Sequence, residues 1–217
     1  MSADGAASLA ERAYLAIRDK IVSLELRPGA VVSEKALTEE LGIGRTPVRE
    51  ALRRLAQEQL IEVFPRRGMF VTTLESRDLA SIHEVRALLE PLAAQHAAER
   101  RSEDEFHALL ALDDELSRTT ERTTQRELMA LDERVHRLVY RCAHNEYLAQ
   151  TLEEYYVHAL RIWHVALDQA NTLGSSVHAH RRLLNTIAKG DAPEAARLMR
   201  KHVDDFEKAI SRVLMDV

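Results

Sequence analysis

Three histidines and an aspartate lie at positions that helical periodicity places in the interior of one helical bundle. Asp132 and His136 are four residues apart and share a helix face with apolar neighbours, while His180 and His202 lie in the apolar stripes of two later helices. A buried carboxylate or imidazole is costly unless it is paired or bound to a metal. Three imidazoles and one carboxylate suit Zn²⁺ first, with Ni²⁺ or Mn²⁺ as alternatives, and leave room for water or a ligand oxygen.

Each position also has an ordinary structural explanation. A single histidine in an apolar stripe is usually a core side chain whose nitrogens are satisfied by neighbours, and Asp132 with His136 could form an intrahelical ion pair. The convergence of four such positions favours a metal centre. The other histidines show weaker patterns: surface positions are expected for His83, His96, His107 and His144, and the pattern leaves open the roles of His158, His164 and His178.

A cationic side chain near such a centre would complete a pocket for a small carboxylate. Arg86 is the better candidate, because it lies in the apolar stripe of its helix beside Ile82 and Leu89. Arg161 is a second candidate, on a helix face that the pattern does not fix. Either arginine could instead form a structural bridge between helices.

A second set of residues suits nucleic acid. Arg45, Arg49 and Arg53 recur every four residues along a helix that has an apolar face at Val48, Leu52 and Leu55. Thr46 is predicted as the N-cap of this helix and Pro47 as its first residue. Arginine binds phosphates and pairs with guanine edges, and the amides at a helix N-terminus add further donors. An ordinary solvated amphipathic helix would show the same pattern.

The elements around this helix favour the nucleic-acid interpretation. In chain order we predict a helix over 9–24, an extended piece at 30–32, a helix over 33–41, a turn at 42–44, the arginine-rich helix over 45–58 and a hairpin over 61–71. Together they make a winged helix-turn-helix. The hairpin turn, Pro65–Gly68, holds Arg66 and Arg67, which would contact the DNA backbone or minor groove.

The segment from Arg27 to Val71 resembles the DNA-binding domain of the GntR family of bacterial transcription regulators. The characteristic runs are R-T-P-V-R-E-A-L-R-R-L after the turn and P-R-R-G-x-F-V at the wing, and the match covers about the first third of the chain. Gly44 departs from the family, which usually has Ser or Thr there, so one hydroxyl contact to DNA is missing. The resemblance assigns DNA contacts to Lys35, Arg45, Thr46 and Arg49, with Gly68 at the wing tip.

After a short polar linker at Thr72–Arg77, helix follows helix. The predicted starts are Ser76, the Ser102–Glu105 capping box, the Thr124–Glu127 capping box, Asn145, Ser175 or Ser176, and Asp191. Strand patterns are lacking here. The predicted fold is therefore mainly α: a winged helix-turn-helix DNA-binding domain over 1–75, and an all-α helical bundle over 76–217 for effector binding and dimerisation.

The chain from about Leu79 to Val213 is similar to the all-helical effector domain of the FadR-type branch of the same family. The supporting segments are VRALLEPLAAQHAA, LDERVHRLV, HNEYLAQTL, AHRRLLNTIAKGD and MRKHV. In the metal-containing members of that branch the ligands match Asp132, His136, His180 and His202. The acyl-CoA-binding members lack this set, so the resemblance implies a metal-containing member.

Composition and charge limit the class of protein. The chain has 217 residues and is 46% hydrophobic and 30% charged, as expected for a globular protein. The net charge of −5 resides beyond residue 75, whereas residues 43–68 hold 6 Arg against 3 Glu, a local excess that suits nucleic acid. The sequence shows no membrane span and no signal peptide, and the lone Cys142 fits a reducing cytoplasm, where we expect it to serve in packing.

We therefore predict a homodimeric, cytoplasmic transcription regulator, not an enzyme. Its two recognition helices would bind the half-sites of a near-palindromic double-stranded DNA operator. We expect a repressor that senses a small organic or sugar acid, whose carboxylate meets the metal. Two alternatives stay open at this point: a metal-dependent hydrolase with an accessory DNA-binding head, and a regulator whose metal is purely structural.

Overall fold

The computed structural model describes residues 8–74, 76–166 and 173–215, and these residues fold mainly as helices. The elements are α1 (Leu9–Val22), β1 (Val31–Val32), α2 (Glu34–Leu41), α3 (Arg45–Gln57), β2 (Ile61–Phe64), β3 (Gly68–Val71), α4 (Ser76–Arg100), α5 (Glu103–Ser117), α6 (Gln125–Cys142), α7 (Glu146–Ala166), α8 (Leu173–Lys189) and α9 (Ala192–Met215). The predicted fold class, a winged helix-turn-helix followed by an all-helical part, is confirmed.

The chain divides into two compact units. The first comprises Met1–Glu75 together with Leu160–Val165, and the second comprises Ser76–Ala159 and Ala166–Val217. Helix α7 therefore contributes residues to both units. No pattern in the sequence predicted that Leu160–Val165 of α7 belong with the N-terminal unit.

The wing is a three-stranded antiparallel sheet in the order β1-β3-β2. Its hairpin register pairs Ile61 with Val71 and Phe64 with Gly68. The turn between β2 and β3 needs left-handed backbone, since φ is +64° at Arg66 and +103° at Gly68. Glycine adopts such angles without the steric penalty of a Cβ, which accounts for Gly68 at the tip.

The start of α3 differs from the prediction. The N-cap is Gly44, without a side-chain hydrogen bond, so that Thr46 and Pro47 are the second and third residues of the helix. Proline is tolerated there because the N–H groups of the first helical turn have no intrahelical partner. The preceding helix behaves as expected, with the Ser33 hydroxyl accepting a hydrogen bond from the Ala36 amide at 3.2 Å and Gly42 ending α2 in left-handed conformation.

The first unit has its core between α1 and α3. Apolar side chains from both helices are fully buried there, among them Ile17, Ile21, Val48 and Leu55. Beside them, the Tyr14 hydroxyl donates to Glu58 Oε2 at 2.8 Å, and the Arg54 guanidinium lies 3.6 Å from the Tyr14 ring. Burial and the Glu58 carboxylate raise the pKa of Tyr14 to about 12. These contacts hold α3 against α1 while its other face stays exposed.

Most helices of the second unit begin at the capping residues that were predicted from the sequence. The capping boxes at Ser102–Glu105 and Thr124–Glu127 are both present, and Asn145 and Asp191 accept hydrogen bonds from the amides three residues on. Helix α8 begins at Leu173, earlier than the prediction. The side chains of the predicted starts Ser76, Ser175 and Ser176 lie outside the described residues.

Within the second unit, the long helix α4 packs along α9 and also against α6 and α8. Small side chains on α4, such as Ala93, Ala94 and Ala97, are fully buried and allow close approach of the neighbouring helices. Cys142 is fully buried as well, and burial raises the pKa of its thiol to about 12, so it packs as a neutral side chain. Among the described residues, no helix is long and apolar enough to cross a membrane.

Candidate metal centre

The structure brings all four predicted metal ligands together. Asp132 and His136 come from neighbouring turns of α6, His180 from α8 and His202 from α9, and all four are buried. One ligand atom from each lies within 4.8 Å of the others. The helical spacing predicted that each of these residues lies on the buried face of its helix. The structure brings all four to one site.

The distances between the ligand atoms suit a single ion. His202 Nε2 lies 3.1 Å from His136 Nε2 and 3.2 Å from His180 Nε2. His180 Nε2 lies 3.2 Å from Asp132 Oδ1. With Zn–N bonds of about 2.0–2.1 Å, the ligands of a tetrahedral zinc ion stand roughly 3.3 Å apart. Three separations match this value, whereas His136 Nε2 lies 3.9 Å from Asp132 Oδ2 and the set as a whole is bounded only by 4.8 Å, so a tetrahedral ion would draw the ligands slightly closer together.

The nitrogens cannot satisfy one another. A neutral imidazole nitrogen carries either one proton or one lone pair, yet His202 Nε2 faces two other Nε2 atoms at hydrogen-bonding distance. Burial lowers the pKa of His180 to about 4. Burial, with the adjacent His180, His136 and Arg86, also holds the pKa of His202 well below its ordinary value. Neutral imidazoles in this arrangement offer lone pairs to a common centre, which is the donor set that a divalent metal requires.

Two further residues, neither of them predicted from the sequence, touch the ligands. Glu90 is fully buried on α4, with its Oε2 3.1 Å from His136 Nδ1. Tyr156 is buried on α7 and donates its hydroxyl to Asp132 Oδ2 at 2.5 Å. The available signal for Glu90 was its position four residues after Arg86, which places both on one helix face.

Arg86 lies beside this cluster and is almost fully buried. Its Nε donates to Glu90 Oε1 at 2.5 Å, and its guanidinium carbon is 5.4 Å from the centres of the Tyr156 and Phe206 rings. Burial alone would lower the pKa of Arg86, but Glu90 and the nearby tyrosines outweigh it and raise that pKa. Burial likewise opposes ionisation of Glu90, while Arg86 and His136 hold its pKa at about 2. Both groups therefore remain charged inside the bundle.

Arg161 occupies a different place. It is fully buried within the first unit, where its two Nη atoms donate to the hydroxyl and the carbonyl oxygen of Thr72 at 3.0 and 2.8 Å. Thr72 directly follows the last wing strand. These contacts join α7 to the segment after β3, so they differ from the bridge between two helices that was considered for Arg161.

The remaining histidines lie outside the cluster. His107 and His144 are exposed, as predicted, while His83 and His96 are half-buried. Each of these four lies within 4 Å of a carboxylate oxygen, from Asp204 for His83, Glu99 for His96, Glu103 for His107 and Glu105 for His144. Of the three histidines left open, His178 is exposed and His158 and His164 are half-buried.

The residues that the resemblance assigned to DNA are all exposed in the first unit: Lys35, Arg45, Thr46, Arg49 and Gly68. Arg49 forms a two-point ion pair with Glu34 of α2, with Nε–Oε2 and Nη2–Oε1 distances of 3.2 and 2.9 Å. Lys35 lies 3.9 Å from Glu39. The exposed cations lie at the start of α3 and at the wing tip. These are the positions from which a groove-binding helix and a flanking wing would contact DNA.

Comparisons with known proteins agree with both halves of this description. Residues 9–71 match the model of bacterial regulatory proteins of the gntR family, and residues 81–205 match the FCD domain. The chain is 32% identical to an HTH-type transcriptional regulator in an unstable DNA locus of Streptomyces ambofaciens, over 90% of this chain and 84% of that protein. It is 23% identical to the HTH-type transcriptional repressor RspR of Escherichia coli K12, over 94% of this chain and 89% of that protein.

A solved structure has the same fold. The Escherichia coli protein McbR/YncC superposes with a TM-score of 0.84 over 95% of this chain and 99% of that one, at 22% identity. The relatives are regulators of transcription, not enzymes, so the hydrolase alternative is wrong. From the two domain matches and the Streptomyces relative, this chain belongs to the GntR family of bacterial transcription regulators, in the branch that carries an FCD effector domain.

Proposed function

We propose that this regulator is a repressor that senses a small organic or sugar acid through a divalent metal ion held by Asp132, His136, His180 and His202. The observation that carries the proposal is the buried convergence of three imidazole nitrogens and a carboxylate on one centre. The relative RspR is a repressor by name. Residues 1–75 would serve as the DNA-binding domain and residues 76–217 as the effector and dimerisation domain.

Zn²⁺ is the favoured ion because three nitrogens and one oxygen are a common zinc donor set. When bound, the ion supplies a Lewis-acidic position that a carboxylate oxygen can occupy. Arg86 is buried beside the cluster and stays charged, so it is the side chain best suited to the rest of an anionic ligand. Arg161 and its partner Thr72 both belong to the first unit, and Arg161 has no part in this proposal.

We propose further that the protein acts as a homodimer on double-stranded DNA in the cytoplasm. Two copies would place two α3 helices on the half-sites of a near-palindromic operator. Leu88 and Leu92 support the dimer, because they lie one turn apart on α4 and are 70% and 39% exposed. The effector would change operator affinity by binding one conformation of the dimer more tightly than another.

The test begins with the metal. Protein purified without a nickel column would be assayed by elemental analysis as wild type, His180→Ala and His178→Ala. His178 is the matched control, since it is exposed two residues earlier on α8. We expect close to one ion per chain in wild type and in the control, and loss of the ion in His180→Ala. Absence of metal from wild type, even after addition of Zn²⁺, Ni²⁺ or Mn²⁺, would refute the proposal.

The second step separates a sensing metal from a structural one. Small carboxylic acids would be screened for a rise in the melting temperature of the zinc-loaded protein, and active acids for a change in operator affinity by mobility shift. We expect at least one acid to change operator affinity in wild type and His178→Ala, but not in His180→Ala. A purely structural metal would leave operator affinity independent of every acid that binds.

A further inference from the structure

We propose that Glu90 and Tyr156 are positioning residues of the metal centre. Glu90 fixes the ring of His136 so that Nε2 faces the ion, and Tyr156 fixes Asp132 so that Oδ1 does. This inference rests on the proposed metal site and concerns residues outside the four ligands. It gives the site an outer layer contributed by α4 and α7, two helices that supply no ligand.

The contact at His136 favours one tautomer through its charge and short distance, since Glu90 Oε2 has no hydrogen bond of full geometry among the described contacts. Glu90 Oε2 lies 3.1 Å from His136 Nδ1, and a carboxylate can only accept. A neutral His136 ring that carries its proton on Nδ1 directs that proton to the carboxylate and leaves the lone pair on Nε2, the atom 3.1 Å from His202 Nε2. Histidine ligands of metals commonly donate their second ring N–H to a carboxylate in this way, which orients the ring and raises its basicity.

A competing donor is present. The Tyr140 hydroxyl lies 3.4 Å from the same Nδ1 atom, and donation from it would place the proton on Nε2 and remove the lone pair from the centre. Glu90 Oε2 is nearer, at 3.1 Å, and its carboxylate is paired with Arg86 through Oε1. A charge-assisted contact is roughly twice as strong as a neutral one. The surroundings of His136 therefore favour the tautomer with its lone pair on Nε2, which is the tautomer that can bind a metal.

The contact at Asp132 selects its free oxygen. A carboxylate can bind a metal through either oxygen or through both. The Tyr156 hydroxyl donates to Oδ2 at 2.5 Å, while Oδ1 lies 3.2 Å from His180 Nε2. Oδ2 also lies 3.9 Å from His136 Nε2, so both oxygens face the cluster, and the hydrogen bond from Tyr156 occupies Oδ2 while Oδ1 is the oxygen nearer to a ligand nitrogen. This arrangement favours binding through a single oxygen, so that an outside ligand would be the fifth ligand of the ion.

Arg86 extends this chain of contacts outward. Glu90 is fully buried, and a buried carboxylate without a partner would neutralise itself or destabilise the fold. The Arg86 Nε donates to Glu90 Oε1, whereas the other oxygen faces His136. The two oxygens of Glu90 thus serve different partners. An ion pair with a merely structural role would not require the second oxygen to face a ligand ring.

The test measures Zn²⁺ affinity by chelator competition in full-length Glu90→Gln and Tyr156→Phe, each of which keeps the shape of the side chain. Glu84→Gln, exposed on α4, and Tyr155→Phe, half-buried on α7, are the matched controls. Loss of an outer partner typically costs roughly 10–100-fold in metal affinity. We expect a rise of Kd in that range for Glu90→Gln and Tyr156→Phe, and a change below about twofold for the controls.

The visible absorption of bound Co²⁺ is the second readout, because it reports ligand geometry and is insensitive to a simple loss of stability. We expect altered band positions or intensities in both variants. Tyr156→Phe guards against misfolding of Glu90→Gln, since it retains the ring and every charge. Unchanged Kd and spectrum in Tyr156→Phe and in any folded Glu90→Gln, with only a lower melting temperature of the metal-free protein, would overturn the inference. A wild type that binds no metal would instead overturn the proposed function itself.

Discussion

Replacement of Arg86 by methionine tests the energetics at the centre of the bundle. Arg86 and Glu90 are 3% and 0% exposed, and the pair is closed by an Nε–Oε1 contact of 2.5 Å. Arg86→Met keeps most of the side-chain volume but leaves the Glu90 carboxylate buried without its cation. Removing one partner of a buried ion pair costs about 3–5 kcal/mol. At roughly 3 °C per kcal/mol for a chain of this size, the melting temperature should fall by roughly 9–15 °C.

The assay is thermal unfolding of metal-free protein at neutral pH, with Arg118→Met as the control. Arg118, the C-cap of α5, forms a pair of the same i,i+4 spacing with Asp114, but both side chains are exposed, and exposed pairs are worth about 0–1 kcal/mol. The double variant Arg86→Met/Glu90→Leu removes both charges and should recover most of the lost stability. A fall no larger than that of Arg118→Met would refute the estimate. A double variant as unstable as the single one would assign the loss to packing instead of the unpaired charge.

Three further outcomes are expected. Arg49→Ala should weaken operator binding more than tenfold in a mobility-shift assay. The control Arg126→Ala, which removes an exposed arginine from α6, should not weaken it to this extent. A change within about threefold for Arg49→Ala would contradict the docking of α3 on DNA. Leu88→Glu should convert the dimer to monomer in sedimentation velocity, and a persistent dimer would place the interface elsewhere. Arg161→Met removes two donors from Thr72 and should lower stability by about 1–3 kcal/mol in chemical unfolding; an unchanged midpoint would show that water replaces them.

The sequence was most informative where the physical signal is local. The capping boxes at Ser102–Glu105 and Thr124–Glu127 involve residues three apart, and both form as predicted. The metal cluster could also be predicted from the sequence, because a histidine within an apolar stripe must face the core wherever the partner helices lie. The N-cap of α3 was misplaced by two residues, since Gly44 and Thr46 are both acceptable N-caps and only the backbone decides between them.

What the sequence could not give depends on contacts between distant segments. Glu90 lies on a helix of 25 residues that packs against three others, so its spacing from Arg86 places both on one helix face but does not show which partner the carboxylate meets. Tyr156 is 24 residues from Asp132, and the pairing of their oxygens follows from how α7 packs. Arg161 and Thr72 are 89 residues apart, and no local pattern assigns the end of α7 to the N-terminal unit.

The position of Arg86 limits how an acidic effector could act under the proposed function. A guanidinium has five N–H donors, and the bond to Glu90 uses the one on Nε. Arg86 can therefore hold Glu90 and a ligand carboxylate at the same time, without releasing the contact between Glu90 and His136. An effector that had to displace Glu90 would disturb a metal ligand and lower metal affinity. An effector that adds to the pair would leave metal affinity unchanged or raise it. By linkage, the change in Zn²⁺ affinity at saturating effector equals the change in effector affinity caused by Zn²⁺, so one titration distinguishes addition from displacement.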